Sequence, residues 1–254
     1  EHREPQHDRG EGGVGLGDVT GGGGAVAAHR EDHGVQPRAE GQPERLPGGP
    51  HPGVDAGTVA AGAPRVLFSQ PMASETDIDA TIVYGVNQQQ LSGHELLVSN
   101  ASCTTNCGVP LLKLLNDAVG IEYVSITTIH SAMNDQPVID AYHHEDLRRT
   151  RSAFQSLIPV STGLARGIER LLPELQGRIQ AKAIRVPTLN VSCLDITLQT
   201  SRDTTAAEIN QLLQAATEQG PLRHLLAYTE FPHASCDFNH DPHSSVFHMD
   251  QTKV

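Results

Sequence analysis

The run Ser99-Asn100-Ala101-Ser102-Cys103-Thr104-Thr105-Asn106-Cys107, with His130 in Thr127-Thr128-Ile129-His130-Ser131, holds the side chains of this sequence best suited to chemistry. A thiol attacks carbon only as the thiolate, and an ordinary pKa of about 8.5 leaves it needing help at neutral pH. Two sources of help are legible. A strand-like stretch, residues 96–99, runs into a helix-like one ending near residue 118. Cys103 therefore stands at a strand-to-helix turn, where unpaired N–H groups and the helix dipole favour an anion. His130 closes an apolar, β-branched run at residues 124–129 and is the candidate base. Cys107, one helical turn on, reads as helix packing. A zinc site would need two more ligands at metal-site spacing, so no metal is expected.

These residues need rigid elements to position them. Residues 65–69, 81–86 and 96–99 read as short, nearly continuous apolar strands, the pattern of a sheet covered on both faces. The helix from Cys103 carries Cys107, Leu111, Leu114, Leu115 and Ala118, stops at Gly120, and is expected to kink or restart at Pro110. Residues 123–130, 179–186 and 191–200 read as strands, and residues 164–175 as a helix with an apolar face. Thr205-Ala206-Ala207-Glu208 is a capping-box pattern that opens a further helix, striped by Ile209, Leu212, Leu213 and Ala216 and ended by Gly220.

Ser-Cys-Thr-Thr-Asn-Cys resembles the active-site segment of the phosphorylating glyceraldehyde-3-phosphate dehydrogenases and of their relatives, the erythrose-4-phosphate dehydrogenases. The resemblance continues through Thr128-Ile129-His130-Ser131, Ile158-Pro159-Val160-Ser161-Thr162-Gly163, Arg185-Val186-Pro187-Thr188-Leu189-Asn190-Val191-Ser192 and Asp237-Phe238-Asn239-His240-Asp241. It covers residues 60–254. It implies an α/β plus α+β architecture: the C-terminal part of a Rossmann-type dinucleotide domain over 60–102, then the mixed-sheet catalytic domain over 103–254. A closing C-terminal helix, with an Asn aimed at a nicotinamide, would follow the last residue.

The chemistry so implied is NAD-dependent oxidation of a phosphorylated aldose. A thiolate adds to the aldehyde, hydride leaves for a nicotinamide, and water or phosphate releases the resulting thioester. Cys103 is then the nucleophile and His130 the thiol activator and base. By resemblance Arg185 holds the substrate phosphate, and Ser102, Thr104, Thr162 and Gly163 match substrate or phosphate contacts. Arg149 matches a substrate contact of the erythrose branch, although Arg148, Arg149 and Arg151 on their own read as a solvated charge run. Ser69 matches a cofactor contact. Met133 stands where glyceraldehyde-3-phosphate enzymes have Thr and cannot donate to a phosphate oxygen. The segments 130–143 and 146–151 resemble the erythrose branch, whereas Ser161-Thr162-Gly163 resembles the glyceraldehyde one. The favoured substrate is therefore D-erythrose 4-phosphate, oxidised to 4-phosphoerythronate on the branch that feeds pyridoxal phosphate synthesis. A phosphorylating glyceraldehyde-3-phosphate dehydrogenase, an inactive fragment and a Cys/His thiol hydrolase are the alternatives.

The composition narrows the partners. A net charge of −12 over 254 residues argues against nucleic acid. No apolar run approaches the roughly 20 residues of a membrane span. Four cysteines in a chain of this length are not a disulfide framework, which makes a reducing cytoplasm the expected location. Resemblance implies a homotetramer for a complete chain.

Residues 1–59 read differently. They contain no Ile, Phe, Tyr, Met, Cys, Lys, Ser or Asn, and 15 of the 24 glycines. No window is periodic, so an irregular or unrelated segment is expected, with an out-of-frame reading of a GC-rich gene as its preferred origin. The glycines of residues 13–17 and 21–24 lack the preceding β-branched strand that a dinucleotide turn requires. The chain as given is therefore expected to bind NAD poorly.

Overall fold

The computed structural model describes residues 23–29, 63–72, 78–143 and 146–254, the first of these as backbone only. Two sheets organise them. The smaller is parallel, with β2 (Val66–Phe68), β4 (Leu97–Ser99) and β3 (Ala80–Thr81) in the order β2-β4-β3. The expected strand over 81–86 is thus corrected: pairing ends at Thr81. The Val83 N–H is taken by the Asn87 side chain at 2.8 Å, and Gly85 turns the chain at φ 87°.

Helix α1 (Cys103–Val119) leaves the end of β4 and feeds β5 (Ile121–His130) through Gly120, which has φ 70°. It runs unbroken through Pro110, so the helix does not restart there. Pro110 is buried, and tertiary packing holds the helix across the one backbone donor that proline removes. Strand β6 (Ile158–Val160) precedes α2 (Leu164–Leu171), which ends two residues before Pro173. The remainder of the expected helix is a 3₁₀ turn, Pro173–Leu175, because proline at its first position cannot continue the α-helical ladder. Strands β7 (Ile179–Arg185) and β8 (Ser192–Thr200) follow, then α3 (Ala206–Glu218). Thr205 caps α3 as the sequence pattern predicts, accepting from the Glu208 N–H at 3.1 Å. Strands β9 (Leu226–Thr229) and β10 (Ser245–His248) carry no periodicity long enough to have announced them.

The larger sheet has seven strands in the order β6-β7-β5-β8-β1-β10-β9 and is mixed, β7/β5 and β10/β9 being its parallel pairs. Within the N-terminal 59 residues the structure describes one segment, β1 (Gly23–His29), antiparallel to both β8 and β10. Ladder hydrogen bonds use only the backbone, so a Gly/Ala segment can pair without any side-chain pattern. The glycines at 13–17 and the boundary expected at residue 60 lie outside the described residues.

α1 lies across β1, β5, β8 and β10 and closes the main core over Leu112, Ile121, Ile126, Ile168, Leu194 and Leu213. Gly167 lets α2 approach it: a Cβ there would stand 3.2 Å from Thr105 Oγ1. None of the described helices is long and apolar enough to cross a membrane.

At the far edge, Phe238 is clamped between two imidazoles, with ring centroids 5.5 Å from His233 and 5.3 Å from His248. Burial lowers the His248 pKa below the ordinary imidazole value, and the Asp250 carboxylate, 3.9 Å away, opposes that more weakly. A lowered folded-state pKa means that the unfolded chain binds the proton first. The stabilisation is therefore complete above about pH 6.5 and is lost as the pH falls through the lower folded value. His248→Gln is expected to flatten this loss. Urea midpoints should fall more from pH 7 to pH 5 in wild type than in the variant, and equal falls would sink the idea.

Candidate functional site

The strand-to-helix turn expected at Cys103 is present and tightly tied. Ala101 has φ 55°, a left-handed conformation that costs a non-glycine residue of the order of 1–2 kcal/mol, and it is 4 % exposed. It swings the chain from β4 into α1. Ser102 caps the helix, its Oγ accepting from the Thr105 N–H at 3.1 Å and lying 2.5 Å from Thr105 Oγ1. Asn106, to which sequence reading gave no role, donates to the carbonyls of Asn100 (2.7 Å) and Ser102 (2.9 Å) and so locks the turn from inside. Cys103 is the first residue of α1 and is part-exposed.

His130 ends β5 with its Nε2 3.7 Å from Cys103 Sγ. Its other nitrogen, Nδ1, lies 2.9 Å from the Ser131 carbonyl oxygen and also meets Arg185 Nη1. The Ser131 N–H donates to Ser192 Oγ at 3.0 Å, so the residue whose carbonyl meets the imidazole is tied to β8. The residue before Ser192 is Val191, whose φ of 66° is an outlier for a β-branched residue. The two non-glycine residues in the left-handed region nearest the site thus each precede a residue that builds it, as expected where backbone strain is held in place by a functional arrangement.

Arg185 arrives by register. In the parallel pair β5/β7, His130 and Arg185 are ladder partners, both on the last residue of their strand. Both are buried, and the Arg185 Nε meets no acceptor. Asp135, in the turn after β5, places Oδ2 3.5 Å from Arg185 Nη2. A buried guanidinium with a spare donor, beside a thiol and an imidazole, is equipped to hold an anionic group of a bound molecule next to the nucleophile.

The other expected contacts are distributed more widely. Thr104 is buried, with its hydroxyl 3.3 Å from Ser102 Oγ. Thr162 and Gly163 stand at the N-terminus of α2, where Thr162 Oγ1 accepts from the Leu164 N–H and Gly163 has open space beside it. Arg149 is in the 3₁₀ turn Leu147–Thr150, its N–H bonded to Asp146. Its neighbours are paired locally, Arg148 with Asp146 and Arg151 with Asp140, which is how a solvated charge run behaves. Met133 is half-buried in the turn that also carries Asp135. Cys107 is fully buried and donates to Ser245 Oγ. Burial pushes its thiol up to about 12, so it packs and does not react.

The cofactor contact expected from the sequence is Ser69. Ser69 is exposed at the C-terminal end of β2, and Asn100 follows the C-terminal end of its parallel neighbour β4. Open parallel sheets take ligands at that edge. Among the described residues there is no Gly-x-Gly-x-x-Gly turn for the pyrophosphate, and no three His, Cys, Asp or Glu side chains gather as a metal site. Residues 102–254 match the family model described as glyceraldehyde 3-phosphate dehydrogenase, C-terminal domain.

Proposed function

The chain belongs to the glyceraldehyde 3-phosphate dehydrogenase family, and from that premise we propose that it oxidises a phosphorylated aldose, D-erythrose 4-phosphate, to 4-phosphoerythronate through a covalent Cys103 intermediate. The observation that carries the reading is the Cys103–His130 pair at 3.7 Å on the first turn of α1, with buried Arg185 on the adjacent strand.

In this reading His130 Nε2 takes the thiol proton, Cys103 Sγ bonds to the aldehyde carbon, and His130 returns that proton to the aldehyde oxygen. The α1 N-terminus favours the anion on sulfur before attack and on oxygen after it. Ser69 would contact a nicotinamide dinucleotide, which would supply the hydride acceptor; as the thiohemiacetal becomes a thioester, His130 takes its hydroxyl proton and passes it to water. His130 then deprotonates a water. The water attacks the acyl carbon, the C–S bond breaks, and Cys103 is restored as the acid leaves. Arg185 holds the substrate phosphate so that the carbonyl lies over Sγ, with Ser102, Thr104, Thr162, Gly163 and Arg149 as further proposed contacts. Tetramer formation and a cytoplasmic setting belong to the same proposal.

Met133 and the segments 130–143 and 146–151 support the erythrose branch. Ser161-Thr162-Gly163 supports the alternative, phosphorylating glyceraldehyde-3-phosphate oxidation. NADH formation by the chain joined to a complete dinucleotide domain distinguishes them. The expected kcat/KM is higher for erythrose 4-phosphate, and Met133→Thr should raise use of the shorter substrate by the roughly 1–3 kcal/mol of a hydrogen bond to a charged group. A strong native preference for glyceraldehyde 3-phosphate with an absolute phosphate requirement would overturn the branch assignment.

A further inference from the structure

Asn106 stands where its residue type is least expected. It lies inside α1, one turn from its start, and asparagine is a poor helix former because its amide competes with the backbone. Its main-chain N–H already makes the helical bond to the Ser102 carbonyl at 2.9 Å. The Nδ2 amide then donates to that same carbonyl, at 2.9 Å, and to the Asn100 carbonyl at 2.7 Å. The Ser102 oxygen is satisfied without this second donor. What the side chain adds is geometry: one amide gathers the two carbonyls that flank Ala101.

Ala101 is the residue that has to be held. It is buried and left-handed, at φ 55°, a region that glycine enters freely and alanine does not. The strand side of the turn is tied independently. The Asn100 N–H donates to the Phe68 carbonyl at 2.7 Å, and the Ala101 N–H to Ser99 Oγ at 3.0 Å. With that side fixed, the Asn106 amide sets where the chain goes next. Across the planar Ser102–Cys103 peptide, the carbonyl and the Cys103 N–H point in opposite directions. Holding the Ser102 oxygen therefore also aims the Cys103 N–H out of the helix start. It fixes with it the backbone that carries Sγ to 3.7 Å from His130 Nε2.

We propose that Asn106 is a positioning residue for Cys103: by holding the carbonyls on either side of left-handed Ala101, it fixes the angle at which the first turn of α1 presents the thiol and its N–H to His130 and to the aldehyde. The inference rests on the proposed role of Cys103 as the nucleophile. Asn106 acts through the backbone and not on the reacting atoms. It keeps a strained turn in the one conformation that aligns sulfur, imidazole and helix start, the last two of which favour the thiolate. An aspartate of the same shape cannot replace it, because a carboxylate only accepts and would face two carbonyl oxygens.

The test is the pH profile of iodoacetamide alkylation in the 254-residue chain, read cysteine by cysteine from peptide masses. Exposed Cys236 is the reference for an accessible thiol, and buried Cys107 reports any opening of α1. In wild type Cys103 should react faster than Cys236 at neutral pH. Asn106→Asp and Asn106→Ala should each slow Cys103 about tenfold there and move its midpoint to higher pH, with Cys236 and Cys107 unchanged. Ala101→Gly added to Asn106→Ala should recover most of the wild-type rate, since glycine takes the left-handed turn without a clamp. Wild-type Cys103 profiles in both Asn106 variants would overturn the inference while leaving Cys103 as an activated nucleophile. Slowing accompanied by faster Cys107, or left uncorrected by Ala101→Gly, would make Asn106 a helix-stabilising residue only and overturn the inference as well. Wild-type Cys103 no faster than Cys236 would remove the activated nucleophile itself, and the inference with it.

Discussion

Cys103→Ala should lower aldehyde oxidation by several orders of magnitude in the chain joined to a complete dinucleotide domain, as expected when a covalent nucleophile is lost. The variant has every reason to fold. Cys103 is part-exposed on the first turn of α1, alanine is the best helix former, and the Ser102 cap and the Asn106 ties do not involve the thiol. Substrate binding through Arg185 should survive, so the loss should fall on kcat and leave KM nearly unchanged. Single-turnover mixing with acid quench should trap an acyl group on wild type and none on the variant. Retention of more than a few per cent of activity would mean that no Cys103 thioester lies on the path.

Leu112→Ala should destabilise the fold by about 2–5 kcal/mol, a large part of the ~5–15 kcal/mol that holds a domain together. Leu112 is fully buried at the middle of α1, in the core cluster closed by Ile121, Ile126, Ile168 and Leu194. Alanine keeps the helix and leaves a cavity that a close-packed sheet beneath cannot collapse to fill. Urea unfolding should show the midpoint falling with little change in slope. Because α1 also carries Cys103, the same variant should alkylate more slowly at Cys103 as its 3.7 Å approach to His130 loosens. A loss below ~1 kcal/mol would place Leu112 at a site able to repack, contrary to the packing described.

Much of this protein is legible in its sequence because the relevant signals are local. The thiol, the imidazole, the strand-to-helix turn between residues 99 and 103, the Thr205 cap and the apolar stripes of α1, α2 and α3 each depend on neighbours within a few residues. Short-range sterics, capping and side-chain periodicity fix them before any distant contact forms. The same locality set the errors. The local pattern makes Pro110 a break in α1, where the helix runs through it, and overlooks Pro173, which ends the helix expected over residues 164–175.

Tertiary structure alone decided what surrounds the reactive pair. Nothing near His130 in the chain indicates Arg185, which is set beside it by the parallel register of β5 and β7. Ser192 steadies the Ser131 peptide only because β8 lies on the other side of β5, and Asp135 meets Arg185 only because the turn after β5 folds back over the end of β7. The slot taken by β1 between β8 and β10 has no side-chain signature at all. Register and strand order are properties of pairs of segments far apart in the chain. They are chosen by which faces can be buried together, and no window of a single sequence contains that information.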